Sequence, residues 1–110
     1  MEVTEKKDGE ITQFAISGSL DSNTSPDLEV KIMEAIDNGN NKLLIDFTKL
    51  DYISSAGLRV LNKATKKLKH SEGKIILFGM QDYIREVFEI AGFDYFIPIV
   101  ETRDDAMGKL

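Results

Sequence analysis

Lys42-Leu43-Leu44-Ile45-Asp46-Phe47 decides the fold. An apolar run broken only by Asp46 is the pattern of a strand covered on both faces, and it predicts a place in the middle of a sheet. Lys74 to Phe78 repeats the pattern. Between the two, Leu58, Leu61, Thr65 and Leu68 recur at helical spacing, which predicts a helix beginning near Ser54 or Ser55 and ending before Ser71-Glu72-Gly73. A strand, a helix and a second buried strand make a parallel crossover, nearly always right-handed.

The flanks extend this unit. On the C-terminal side, Ile84, Val87, Phe88 and Ala91 face inward on a helix spanning Gln81 to Ala91, with Gly92 past its end. Phe96 to Val100 reads as a short strand that Pro98 confines to an edge. Thr102, with Asp105 three residues on, resembles a capping box opening a final short helix. On the N-terminal side, Glu2 to Lys6 and Glu10 to Ser17 read as an antiparallel pair around Asp8-Gly9. After Gly18 comes a polar loop, Ser19-Leu20-Asp21-Ser22-Asn23-Thr24. Ser25-Pro26 then opens a helix with Leu28, Ile32, Ala35 and Ile36 inward and Asn38-Gly39 as its stop. The expected fold is one α/β domain over residues 1–110: a mostly parallel central sheet with an antiparallel first strand, packed by about four helices. In such a sheet the loops after the strands gather at one end, where ligands and partners bind. Here these are Gly18 to Ser25, Thr48 to Ser55 and Gly79 to Gln81.

Composition narrows the function. With 110 residues, 42% hydrophobic and 30% charged, the chain has the make-up of a folded domain. Its 19 acidic and 14 basic residues are dispersed and give a net charge of -5. That balance argues against nucleic acid or an anionic membrane as partner, since both call for a positive patch. No apolar run approaches the roughly 20 residues that span a bilayer. The start, Met1 to Asp8, is charged rather than signal-like, so a cytoplasmic location is expected. With no cysteine, disulfides, thiolate metal sites and cysteine nucleophiles are excluded. No metal or cofactor is expected. Arg59, Lys63, Lys66, Lys67 and Lys69 on the second helix read as a solvated face.

The segment Asp51-Tyr52-Ile53-Ser54-Ser55-Ala56-Gly57-Leu58 is the most informative for chemistry. It places two hydroxyls at a helix N-terminus, where free N–H groups and about half a positive charge favour a phosphoryl group. Local physics alone favours the simpler reading, that Ser54 or Ser55 caps the helix. Gly57 either permits a close approach or costs about 1 kcal/mol relative to Ala.

Ile53-Ser54-Ser55-Ala56-Gly57-Leu58 resembles the signature of the STAS family, the domain shared by bacterial anti-sigma-factor antagonists and the tails of sulphate transporters. Gly18-Ser19-Leu20-Asp21 resembles the family's Gly-x-Leu-Asp loop, and the order of elements matches over essentially the whole chain. The stand-alone antagonist is the nearer likeness. The resemblance implies an anti-sigma factor that is also a serine kinase as partner, phosphorylation on Ser55, and resetting by a serine phosphatase. It implies a docking face drawn from Asp21, Ser22, Asn23, Tyr52, Ile53, Ser54, Ala56, Gly57, Leu58 and Met80. Antagonists often carry Asp before the serine and Ser or Thr after it. This chain has Ser54 and Ala56, which makes Ser54 a second candidate acceptor.

Four other readings compete. A serine hydrolase would use His70, the lone histidine, as base for Ser55, but fifteen residues along one helix place them about 22 Å apart against the roughly 3 Å required. A receiver-like domain would gather Asp21, Asp46 and Asp51 around magnesium and phosphorylate an aspartate, yet no lysine follows the last strand in Pro98-Ile99-Val100-Glu101. Nucleotide binding has only an isolated Gly18 in its favour. A constitutive scaffold would use the same face, with Tyr52, Ile53 and Met80 as exposed contacts and no phosphorylation.

Overall fold

The computed structural model describes residues 1–110. Its strands are β1 (Glu2–Asp8), β2 (Ile11–Leu20), β3 (Lys42–Ile53), β4 (Lys74–Phe78) and β5 (Ile99–Val100). They form one sheet in the order β1-β2-β3-β4-β5, with β1 antiparallel to β2 and every other neighbour parallel. The helices are α1 (Ser25–Asp37), α2 (Ser55–His70), α3 (Asp82–Ile90) and α4 (Arg103–Met107), with a 3-10 turn at Phe93–Tyr95.

The central strand is the one with apolar residues on both faces. Leu43, Ile45 and Phe47 enter a core of 22 buried residues shared with α1, α2 and α3, whereas Leu44 joins Ile76, Phe78 and Ala106 in a cluster of 4 beneath α4. The disparity makes the three-helix side the principal core, and α4 no more than a small cover over the other face. Phe47 and Phe88, ring centroids 6.3 Å apart, pin α3 to β3.

Several boundaries differ from the sequence reading. Thr48 to Ile53 is strand, not loop, as are Ser19 and Leu20. The β1–β2 turn uses Gly9, at φ +63°, and Glu10, because Asp8 already pairs with Ile11. Thr24, not Ser25, holds the cap position of α1, and the Ser25 hydroxyl is buried without a partner. The last strand shrinks to two residues and lies at the edge. Leu77 N–H donates to Pro98 O at 3.0 Å, but Pro98 has no N–H to return to β4, so the ladder starts only there. The Thr102 hydroxyl accepts from Asp105 N–H at 3.1 Å, capping α4 as expected.

Candidate functional site

β2 and β3 end side by side, Leu20 opposite Ile53, and their chains leave the sheet together. Ser54 N–H donates to Leu20 O at 2.9 Å, and Ser25 N–H to Asp21 O at 2.9 Å, so the starts of α2 and α1 hang from the last residue of β2 and the one after it. The loop between β2 and α1 is organised by Asp21. Its Oδ1 accepts from Asn23 N–H at 2.9 Å and Thr24 N–H at 3.0 Å, while Thr24 Oγ1 accepts from Asp21 N–H at 2.9 Å. The backbone N–H of Thr24, then that of Asn23, hold the Asp21 carboxyl below the usual carboxylate range. One oxygen of Asp21 is thus committed to its own turn, and the exposed side chains of the loop are Ser22 and Asn23.

Gly57 explains how α2 sits so low on the strand ends. A Cβ there would lie 2.8 Å from Leu20 Cγ and 2.9 Å from Ile53 Cγ1. Leu20 and Ile53 are buried and occupy the space a side chain at 57 would need. The leucine of Gly18-Ser19-Leu20-Asp21 therefore packs directly on the glycine of Ser54-Ser55-Ala56-Gly57, so each motif supplies half of one contact.

The two serines part company at this junction. Ser54 occupies the cap position of α2 with φ -101° and ψ 174°, yet its side chain makes no capping hydrogen bond and its Oγ is buried without a partner. Ser55, the first helical residue, is exposed. The first intrahelical bond runs from Leu58 N–H to Ser54 O at 3.1 Å, which leaves the N–H groups of the first turn without intrahelical acceptors. No acidic residue lies in the first turn of α2, whereas α1, α3 and α4 carry Asp27, Asp82, and Asp104 with Asp105 in theirs. The positive end of the α2 dipole is left uncompensated beside an exposed hydroxyl.

The residues expected on the docking face divide by burial. Asp21, Ser22, Asn23, Tyr52, Ser55, Ala56 and Met80 retain accessible surface, with Tyr52 53% exposed. Ile53, Gly57 and Leu58 are buried, at 4% for Ile53 and 7% for Leu58, because they form the seat of α2 on the sheet. They support the face and do not present it, and Ile53 is no exposed contact. Ser54 is half-buried, with its Oγ turned inward. Tyr83 was not anticipated: its hydroxyl donates to Asp51 O at 2.7 Å while the ring stays 48% exposed beside the strand end, and Gln81 Nε2 reaches Leu50 O at 3.4 Å. Nothing in local sequence spacing marks a bond spanning 32 residues.

The carboxylates do not converge. Asp46 Oδ1 accepts from Thr48 N–H at 2.9 Å and Thr48 Oγ1–H at 2.5 Å, Asp21 is bound into its own loop, and no three histidine, aspartate or glutamate side chains are grouped to hold a metal ion. Ser55 and His70 stand at opposite ends of the 16-residue α2. A groove of about 390 Å³, lined by Lys69, Lys74, Phe96 and Pro98 among others, adjoins the C-terminal end of α2, remote from Ser55. No helix is long and apolar enough to cross a membrane.

The family model described as "STAS domain" matches residues 2–106. The chain belongs to the STAS family. This STAS domain is 36% identical over 91 residues to BtrV of Bordetella bronchiseptica, covering 83% of the chain and 78% of BtrV. It is 31% identical over 113 residues to the anti-sigma-B factor antagonist of Listeria monocytogenes, covering 99% of the chain and 95% of that protein. Among solved structures it resembles the anti-sigma factor antagonist SpoIIAA in its unphosphorylated form, and the Bacillus cell fate determinant SpoIIAA in the phosphorylated form. Each has a TM-score of 0.77 at 21% identity; the match covers 98% of the STAS domain in both cases and 96% and 98% of the respective SpoIIAA chains. The five-stranded mixed sheet and four helices are therefore those of the family.

Proposed function

We propose that this STAS domain is an anti-sigma-factor antagonist that binds its partner through the Ser55 end of the sheet and is switched off by phosphorylation of Ser55. The observation that carries the reading is the pair of hydroxyls at the start of α2: Ser55 exposed, Ser54 buried, on a first turn without an acidic residue. The names of the curated relatives support the antagonist role. The partner is an anti-sigma factor that also acts as a serine kinase, and a serine phosphatase restores binding. Transfer of the ATP γ-phosphoryl group to Ser55 Oγ forms one P–O bond, breaks the bond to ADP and releases the hydroxyl proton.

Binding and release follow from desolvation. The unmodified face offers Ser22, Asn23, Tyr52, Ala56 and Met80 around a small hydroxyl. Phosphorylation adds about 1.5 to 2 negative charges in the middle of it. The helix N-terminus stabilises that charge within the domain, whereas a partner must desolvate it or meet it with like charge, at a cost of several kcal/mol. Each 1.4 kcal/mol is about a tenfold change in affinity, so one ester is enough.

The test is titration of the cognate anti-sigma factor against wild type, Ser55→Ala and Ser55→Asp, with mass spectrometry locating the phosphate after incubation with ATP. Ser55→Asp is expected to bind at least about tenfold more weakly while staying folded. Ser55→Ala should bind and take up no phosphate. Binding of Ser55→Asp at wild-type strength, or phosphate found on Ser54, defeats the proposal.

A further inference from the structure

Arg59, Lys63 and Lys67 recur at four-residue spacing along α2. Two of the three are matched by acids of α1: Lys63 Nζ lies 3.4 Å from Glu29 Oε1, and Lys67 Nζ 2.6 Å from Asp37 Oδ1. Arg59 is exposed and has neither an ion pair nor a side-chain hydrogen bond. Ser55 stands four residues before it on the same helix, and both are exposed while the intervening Gly57 and Leu58 are buried. Residues so spaced have Cβ atoms about 5–6 Å apart, and helical side chains lean toward the N-terminus. The spacing and tilt put the turn that Ser55 begins within reach of a guanidinium at position 59. An anion preceding a cation by four residues is the favourable order.

We infer that Arg59 receives the phosphoryl group of phosphorylated Ser55, donating charge-assisted hydrogen bonds to its oxygens along the surface of α2; this rests on the reading of Ser55 as the phosphoacceptor. A guanidinium is suited to the task because its planar fork meets two oxygens at once. Phosphoserine is then compensated from both sides, by the first-turn N–H groups and by Arg59. Modification consequently does two things in one step: it places an anion on the docking face and it occupies a cation that was free before.

The experiment installs phosphoserine at position 55 of the full chain during translation, with no kinase or partner present, in wild type, Arg59→Gln and Arg59→Lys. Phosphorylation is expected to raise the thermal midpoint of wild type by about 2–4 °C. Arg59→Gln should keep less than half of that gain, and Arg59→Lys an intermediate share. The Arg59 Nε–H resonance should move downfield on phosphorylation, and λ phosphatase should release phosphate several-fold faster from Arg59→Gln than from wild type. Equal midpoint gains in all three proteins, or an Arg59 resonance that does not move, overturn the inference. Because the phosphate is supplied during synthesis, that failure is separate from a failure of the kinase to modify Ser55, which would strike the proposed function instead.

Discussion

The β3–α2 and β4–α3 junctions are built on the same plan, a parallel strand turning into a helix at one end of the sheet, and they differ in how each treats its helix start. α3 carries Asp82 in its first turn, which compensates the dipole permanently, and Gly79, at φ +78°, makes the bend before it with Thr48 packed so close that a Cβ would lie 2.5 Å from Thr48 Cγ2. α2 has no acid in its first turn and presses Gly57 onto Leu20 and Ile53. Both junctions are sterically tight; only the α3 start is electrostatically complete. The contrast teaches that a tight seat fixes where a helix starts, while the missing acid is what sets the α2 start, and the exposed Ser55 on it, apart.

The largest effects should come from breaking the seat. Leu20→Ala, at a fully buried position, is expected to cost about 2–5 kcal/mol in urea unfolding. Gly57→Ala alone overpacks the site and costs about 1–3 kcal/mol, partly offset by better helix propensity. Combined, the new methyl enters the space Leu20 vacates, so the double variant should be more stable than the sum of the singles by about 1 kcal/mol or more. Strict additivity would mean that the two motifs do not share one contact.

Next in size is the electrostatic difference. Ser55→Asp should leave stability unchanged or raise it by about 0.5 kcal/mol, because it gives α2 what α3 already has, and Asp82→Asn should lower it by a similar amount. Loss of stability in Ser55→Asp would show that the α2 start does not welcome an anion. Ser54→Ala should be neutral or stabilising by up to about 1 kcal/mol, since it removes a buried hydroxyl that has no partner. A marked destabilisation by that change would reveal a bond to Ser54 in solution.

The smallest effect concerns the loop. Asp21 has its carboxyl pKa lowered in the folded chain, so its contribution is present at neutral pH and is lost as pH falls through that lowered value. The urea midpoint of wild type should exceed that of Asp21→Asn at pH 7, with the gap narrowing once pH drops below about 3.9 and closing under stronger acid. A gap that does not vary with pH would assign the difference to shape alone.

Much of this was legible in the residues. The apolar runs at Leu43–Ile45 and Ile75–Phe78 gave the central strands because burial on both faces leaves no other pattern, and Pro98 gave the edge because it lacks an N–H. The second half of β3 was not legible. Its burial from Phe47 to Ile53 repeats every third residue rather than every second, since irregularities in its pairing with β2 rotate the side chains, and a period of three looks like loop. Nor does any pattern show which of two adjacent serines is turned inward. That depends on Leu20, over thirty positions away, whose carbonyl holds the Ser54 N–H.

β3 pairs with β4 only from Lys42 to Asp46, and from there to Ile53 it has β2 alone as a ladder partner. The part that carries α2 is thus a cantilever, braced on its free side by side chains of Gln81 and Tyr83 rather than by a strand. A rewritten turn after β4 would remove that brace while leaving the β2 ladder that holds the end of β3 intact. A one-residue insertion in β2 would displace the serine and its loop as a unit.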